Sequence, residues 1–241
     1  MKRYNYTITE LLTVIAIIAI LAGIAIPAVG YARKRSRTTA CVSNQGQTMK
    51  TILNSMADTN NRLYSGSTFG APNTNGTVTD NAGWTVFLAE KGYIKSMDAL
   101  RCPEIRNYST DGKVLDVNSL KEAYGVVVAG GNSGKFDFRG SRLFTTDAGV
   151  QIAPSALAMG GCTTSDGEAV AATINFASAS GGRATGIHHN SMTNVFFYDG
   201  HAETFDKNNF HLNKYYPVQG TNNATTKAEA LVAGSWLDAK N

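Results

Sequence analysis

The side chains able to do chemistry fall into a few groups. His188, His189, Asp199 and His201 place imidazoles and a carboxylate close together in the chain, a donor set that binds transition metals or moves protons. Asp199 is equally explained by a turn, and a histidine entering a strand more often caps or hydrogen-bonds backbone, so the expectation is no catalytic residue and no metal. Cys41, Cys102 and Cys162 lie too far apart for a zinc knuckle, in which cysteines recur about two to four residues apart. Three cysteines permit one bridge and one leftover thiol. Cys41 with Cys102 is the preferred pair, and three buried small apolar side chains are the alternative. Asp147, Asp166 and Glu168 are weak calcium candidates, since they lack the dense spacing of an EF-hand loop. Gly130-Gly131-Asn132-Ser133-Gly134-Lys135 fails the phosphate-loop pattern, because its glycines are too close and Phe136 follows the lysine. Ser65-Gly66-Ser67 and Ser180-Gly181-Gly182 make no nucleophile elbow. The expectation is a protein that is not an enzyme and needs no cofactor.

One further group stands apart because of its surroundings. Glu10 is the only ionisable acid or base between Tyr6 and Ala32, and 22 residues from Leu11 to Ala32 carry no charge. About 20 apolar residues cross a ~30 Å hydrocarbon layer as a helix, so a membrane-spanning helix is expected here. A cleaved secretory signal has a basic start, met by Lys2 and Arg3, but its apolar core is shorter. A carboxylate in lipid costs roughly 3 kcal/mol or more. Glu10 therefore needs a partner or a task.

The run Asn5-Tyr6-Thr7-Ile8-Thr9-Glu10-Leu11-Leu12 resembles the signature of type IV prepilins and type II secretion pseudopilins. In that family a prepilin peptidase cuts before an aromatic residue, and a glutamate holds the fifth mature position. Cutting between Asn5 and Tyr6 puts Glu10 at that place and Pro27 where a helix-kinking proline is common. Asn5 stands where the family prefers glycine, and Thr9 where it prefers an aliphatic residue. His189, followed after nine residues by Asp199-Gly200, is similar to the H-X9-DG segment attached to many such proteins.

The resemblance implies a leader at 1–5, an N-methylated Tyr6, an anchor and assembly helix at 6–32, its periplasmic continuation at 33–57 and a globular α+β domain at 58–241. The fold it implies is pilin-like, a long N-terminal helix packed on an antiparallel sheet, and 189–200 lies within the domain. It further implies a single-pass protein of the bacterial inner membrane with a periplasmic C-terminal domain. The helix would assemble into a type II secretion pseudopilus or type IV pilus-like filament, with Glu10 compensating a neighbouring subunit's amino terminus. The partners would be copies of the chain, other pilin-like subunits, the peptidase, an inner-membrane assembly platform and the lipid bilayer. A non-polymerising, membrane-anchored surface or glycan-binding protein is the alternative.

The remaining sequence fits one anchor and one soluble domain. Removing Lys2 and Arg3 from the net charge of +4 leaves +2, no nucleic-acid signature. Arg33, Lys34, Arg35 and Arg37 follow the apolar run as an interfacial cluster; by the positive-inside rule they favour a cytoplasmic domain, opposite to the orientation the resemblance implies. Val42, Met49, Ile52, Leu53 and Met56 recur at spacings of three, four and seven, predicting that the helix continues to about Ala57 with one apolar stripe. Residues 58–83 read as a surface loop with at most one short element, and Trp84 to Ile94 as a short helix stopped at Gly92. Strands are expected at Lys113–Val117, Ala123–Ala129, Arg142–Thr146, Val150–Ala153 and Val170–Ala177, with a hairpin over Asn194–Phe205 turning at Asp199-Gly200. A short C-terminal helix is expected at Lys227–Leu237.

Overall fold

The structure is a computed structural model and describes residues 7–66, 70, 82–105, 108–127, 135–137, 151–164, 173–174, 184–187, 189, 192–206, 215–217, 225–227 and 237–238. Two compact units divide the chain, 1–37 and 38–241.

The first unit is the apolar part of helix α1 (Ile8–Asp58). Thr7 and Glu10 cap its start reciprocally. The Thr7 N–H and hydroxyl both donate to Glu10 Oε2 at 2.8 Å, and the Glu10 N–H donates to Thr7 Oγ1 at 3.3 Å. This is a capping box, which satisfies backbone donors that a helix start leaves orphaned. Glu10 thus has a task within its own chain. From residue 7 to residue 36 every residue but Ala22 is exposed, including Ile8 at 79% and Ile26 at 72%. The uncharged run rises about 33 Å at 1.5 Å per residue, enough for the hydrocarbon layer. Pro27 lies inside the continuous helix, where its missing N–H removes one intrahelical bond and favours a bend.

In the second unit the rest of α1 buries one face: Cys41, Gln45, Thr48, Met49, Ile52, Ser55 and Met56. The expected apolar stripe supplies Met49, Ile52 and Met56, with Leu53 and Val42 only partly covered. The start of the face is polar and sulfur-bearing. Among the described residues twelve strands follow in chain order: β1 (Arg62–Tyr64), β2 (Gly125–Val127), β3 (Lys135–Asp137), β4 (Ala158–Gly161), β5 (Thr163–Thr164), β6 (Thr173–Ile174), β7 (Ala184–Ile187), β8 (Met192–Phe197), β9 (Ala202–Asp206), β10 (Tyr215–Pro217), β11 (Thr225–Lys227) and β12 (Leu237–Asp238). The main sheet has the order β6-β2-β4-β8-β9. From β2 to β9 all pairings are antiparallel, while β6 joins β2 in parallel. A long apolar helix with an antiparallel four-strand sheet is an α+β layout.

The core contains Met49, Ile52 and Met56 of α1, Trp84 and Leu88 of helix α2 (Trp84–Glu90), Tyr124, Phe196 and Phe197. Helix α2 ends as its sequence predicts. Gly92 has φ +76°, and its N–H bonds the Ala89 carbonyl while the Tyr93 N–H bonds that of Leu88, the paired closure of a Schellman end. β4 occupies the middle of the main sheet although its sequence is Ala-Met-Gly-Gly. A Cβ on Gly160 would lie 2.1 Å from the Gly125 carbonyl oxygen and 2.3 Å from Phe196 Cζ, so the missing side chain makes room for that ring.

Several strand expectations need correction. Lys113–Val117 is not a strand: bends lead into a helix α3 (Val117–Lys121), because Asp116 accepts from the Ser119 N–H at 2.7 Å while the Ser119 hydroxyl accepts from the Asp116 N–H at 2.9 Å. That reciprocal cap starts a helix where apolar residues alone suggest a strand. Of the expected Val150–Ala153, residues 151–153 are described and only Gln151 among them bridges, while Pro154–Ala156 turns as a single 3-10 turn. Ala123–Ala129 and Val170–Ala177 contain β2 and β6; Arg142–Thr146 lies outside the described residues. The expected helix at Lys227–Leu237 begins and ends in strand residues, and 228–236 lie outside the described residues.

Candidate functional site

The feature of this fold with most chemistry is a cluster that no local spacing announces. Cys41, Cys102, Cys162 and His189 come from α1, the loop after Leu100, the residue between β4 and β5, and the segment before β8, and their Sγ and ring nitrogen atoms lie within 4.8 Å of one another. All four residues are buried. Cys41 Sγ is 3.5 Å from Cys162 Sγ, and His189 Nε2 is 3.3 Å from Cys102 Sγ and 3.6 Å from Cys162 Sγ.

Each of the four side chains is placed by its own local bonds. His189 closes a tight loop into β8 through reciprocal backbone bonds with Met192, at 3.2 and 3.1 Å. Its Nδ1 is 3.3 Å from the Thr38 hydroxyl, so one turn of α1 before Cys41 supplies the partner that orients the ring and leaves Nε2 for the sulfurs. Gln45, one turn after Cys41, sends Nε2 to Cys162 Sγ at 3.3 Å, Cys41 Sγ at 3.7 Å and the Asn194 carbonyl at 3.1 Å. The Cys102 backbone is gripped by the Tyr108 hydroxyl, which accepts from its N–H at 2.8 Å and lies 3.1 Å from its carbonyl oxygen. The Tyr124 hydroxyl donates to the Arg101 carbonyl at 2.8 Å and lies 3.5 Å from Cys41 Sγ.

Behind Cys102, a second polar knot fixes the loop. Arg101 pairs with Glu122 at 2.6 Å, bonds the Thr110 carbonyl at 2.9 Å and sits 4.6 Å over the Tyr108 ring centroid. Gly112, at φ +74°, leaves space for that guanidinium: a Cβ there would stand 2.6 Å from it.

The electrostatics of the cluster favour one thiolate shared among three sulfurs. Burial raises the Cys41 thiol, but hydrogen bonds from Cys102, Cys162 and His189 outweigh it and hold Cys41 well below the usual thiol range. Cys102 is held well above that range: a hydrogen bond from Cys162 lowers it, but its bond to Cys41, burial and the Cys41 charge together prevail. Burial, then the bonds to Cys102 and Cys41, raises Cys162. Such a set can hold a soft metal ion, share one negative charge through hydrogen bonds, or oxidise to one disulfide and a thiol.

The expected Cys41–Cys102 bridge is not formed, and all three cysteines are free thiols. A third sulfur in the same cluster removes any unique pair. Chain spacing has no bearing on a cluster whose members come from four separate parts of the chain. The expected histidine-carboxylate group divides between the two ends of β8. His189 meets the cysteines. At the other end the His201 imidazole bonds Asp199 through Nδ1 and Glu203 through Nε2, the latter at 3.0 Å, and stacks on Phe197.

Asp199 and Gly200 are turn residues, as expected, but the turn differs in kind. The Gly200 N–H bonds the Phe197 carbonyl at 3.0 Å, the Phe197 N–H bonds that of His201 at 2.9 Å, and only Gly200 has positive φ, +92°. This is a three-residue loop closed by a left-handed glycine, rather than a two-residue turn with positive φ twice. The turn docks on α1. The Gly200 carbonyl oxygen would stand 3.3 Å from a Cβ on Gly46, and Lys50 Cγ packs at 3.6 Å from one on Gly200. His189 and Asp199-Gly200 therefore tie both ends of β8 to the same helix.

Asn5, Tyr6, His188, Asp147, Asp166 and Glu168 lie outside the described residues. Gln45 and Thr38 escaped the sequence reading; their only signal was position one helical turn either side of Cys41. Searches of family models, curated proteins and solved structures found no match to this chain.

Proposed function

We propose that this chain is a pilin-like subunit of the bacterial inner membrane, cut before Tyr6 and assembled through its N-terminal helix into a secretion pseudopilus or pilus-like filament. The observation that carries the reading is the helix from Ile8 to Tyr31, apolar on every side and exposed at every residue but Ala22 in its own unit, with a single carboxylate at its start. A helix apolar all round belongs in lipid or among similar helices. Lipid tails are already apolar, so a bundle of such helices gains little from burial and depends on close packing and polar pairing. Ala16, Ala19, Ala22 and Gly23 supply small residues for close approach. Glu10 supplies the polar group.

The capping box refines the part that Glu10 plays. In a membrane its carboxylate is held by Thr7 of its own chain; in a filament a neighbour's amino terminus competes for the same oxygens. Glu10→Gln keeps the box, since glutamine also serves at its third position, while removing the charge. Glu10→Leu removes both. Both variants are expected to insert and to fail to form ordered filaments; normal filaments from Glu10→Gln would refute the charge pair.

Intact-mass and N-terminal peptide analysis, after expression with a prepilin peptidase, tests the reading as a whole. A chain beginning at N-methylated Tyr6 is the expected product and fixes the domain on the periplasmic side. A chain still beginning at Met1 overturns the assembly reading in favour of a permanent anchor.

A further inference from the structure

We propose that Cys41, Cys102, Cys162 and His189 bind a zinc ion through three thiolates and one imidazole, a structural centre that ties α1 to the sheet. Zinc bonds of about 2.3 Å to sulfur and about 2.05 Å to nitrogen, arranged tetrahedrally, give edges of about 3.8 Å between sulfurs and about 3.6 Å from sulfur to nitrogen. Cys41 and Cys162 are 3.5 Å apart, and His189 Nε2 is 3.3 and 3.6 Å from its two sulfurs. A disulfide needs about 2.05 Å between sulfurs and employs two of the four groups.

The surroundings match the chemistry. Four protein donors fill a tetrahedron and leave no position for water, the arrangement of structural sites. Soft thiolates with one imidazole in that geometry suit zinc. In the tautomer whose Nδ1–H donates to the Thr38 hydroxyl 3.3 Å away, the Nε2 lone pair is free for the metal, the usual outer-sphere support of a zinc-bound histidine. Binding forms three Zn–S bonds and one Zn–N bond and releases the remaining thiol protons to solvent, with no change in oxidation state. Zinc with three thiolates carries one net negative charge, which needs donors when buried. Gln45 Nε2 already points at two of the sulfurs, and the Glu104 backbone N–H bonds Cys102. A helix face and a β-strand end are thereby held by one ion.

The inference stands on these residues alone and holds whether or not the chain polymerises. The test is metal analysis of the full chain purified in detergent under reducing conditions without chelator, with zinc-edge X-ray absorption of the same sample. The expected result is one zinc per chain with a shell of three sulfurs near ~2.3 Å and one nitrogen near ~2.05 Å. His189→Cys, which keeps four donors, is expected to retain zinc with an all-sulfur shell; Cys162→Ser is expected to lose the three-sulfur shell. Cobalt substituted for zinc in the unmutated chain should show thiolate charge-transfer absorption and the intense visible bands of a tetrahedral site, a readout independent of whether the variants fold. Metal-free protein with three alkylatable thiols overturns the proposal. So does a chain lighter by two hydrogens, which marks a disulfide, or a shell of oxygen and nitrogen only, which marks adventitious metal.

Discussion

Gly160→Ala tests the packing on which the sheet and the neighbouring Cys162 depend. The added Cβ would sit 2.1 Å from the Gly125 carbonyl oxygen and 2.3 Å from Phe196 Cζ, where ordinary contact begins at 3.4 Å. The backbone must therefore yield by about 1.3 Å, a large part of the ~4.8 Å between hydrogen-bonded strands. Gly160 pairs with Val126 on one side and with Phe196 on the other, so both neighbours of β4 are displaced. Overpacking costs about 1–3 kcal/mol, and one or two weakened ladder bonds add about 1 kcal/mol each. The sum is roughly 2–5 kcal/mol, against a typical stability of about 5–15 kcal/mol. At about 2–4 °C per kcal/mol for this size, the midpoint should fall by roughly 10 °C. Thermal unfolding of the full chain in detergent, followed by fluorescence of buried Trp84, measures it. Gly23→Ala is the control, since its Cβ meets nothing within 4 Å. Adding Phe196→Leu should relieve the ring clash but not the carbonyl clash, so the pair should be less destabilised than the two single effects added. A midpoint within about 2 °C of the parent for Gly160→Ala would show that β4 yields freely and would refute the close-approach argument.

Two further outcomes follow from the polar groups around Cys102. Glu122→Gln replaces one of two carboxylate oxygens that together accept from Arg101, Thr110 and Ser109; it should destabilise by about 2–4 kcal/mol and speed alkylation of Cys102, and unchanged denaturant midpoints and alkylation rates would remove this pair from the account. Burial first, then the nearby cysteine charges, raises the Tyr108 and Tyr124 phenols far above the ordinary range. Both lose protons more readily unfolded, so the stability they contribute is complete below the ordinary phenol value of about 10 and falls as pH rises beyond it. An ultraviolet titration should show two tyrosines ionising only with unfolding; reversible ionisation of every tyrosine in the native fold would contradict their burial.

The sequence made the periodic elements legible and left the contacts between elements hidden. Helix α1 could be read because apolar content and helical spacing act locally, and Gly92 because a left-handed residue after a helix has few alternatives. The cap at Asp116 was also written locally, yet the apolar residues around it suggested a strand. β4 was illegible for a different reason: Ala-Met-Gly-Gly has no strand propensity, and its place is decided by Phe196 from another strand. The sulfur cluster is the extreme case. Neither Cys41 nor Gln45 has meaning without Cys162 and His189, whose arrival on the same face depends on tertiary packing. The capping box at Thr7 and Glu10 was the opposite, a local pattern overshadowed by the rarity of acids in apolar segments.

The ties between α1 and β8 also set an order in time. Thr38 meets His189 across 151 positions, and Cys41 meets Cys162 across 121. Contacts so distant in sequence close late, because a long loop must first be ordered, and a chain emerges from its N-terminus. The helix is made first and its inner face is covered last. During that interval Met49, Ile52 and Met56 await their sheet while the neighbouring thiols stand uncovered. A chain cut short before His189 would leave that face waiting indefinitely, so the final fifth of the sequence acts as the clasp for an element made at its beginning.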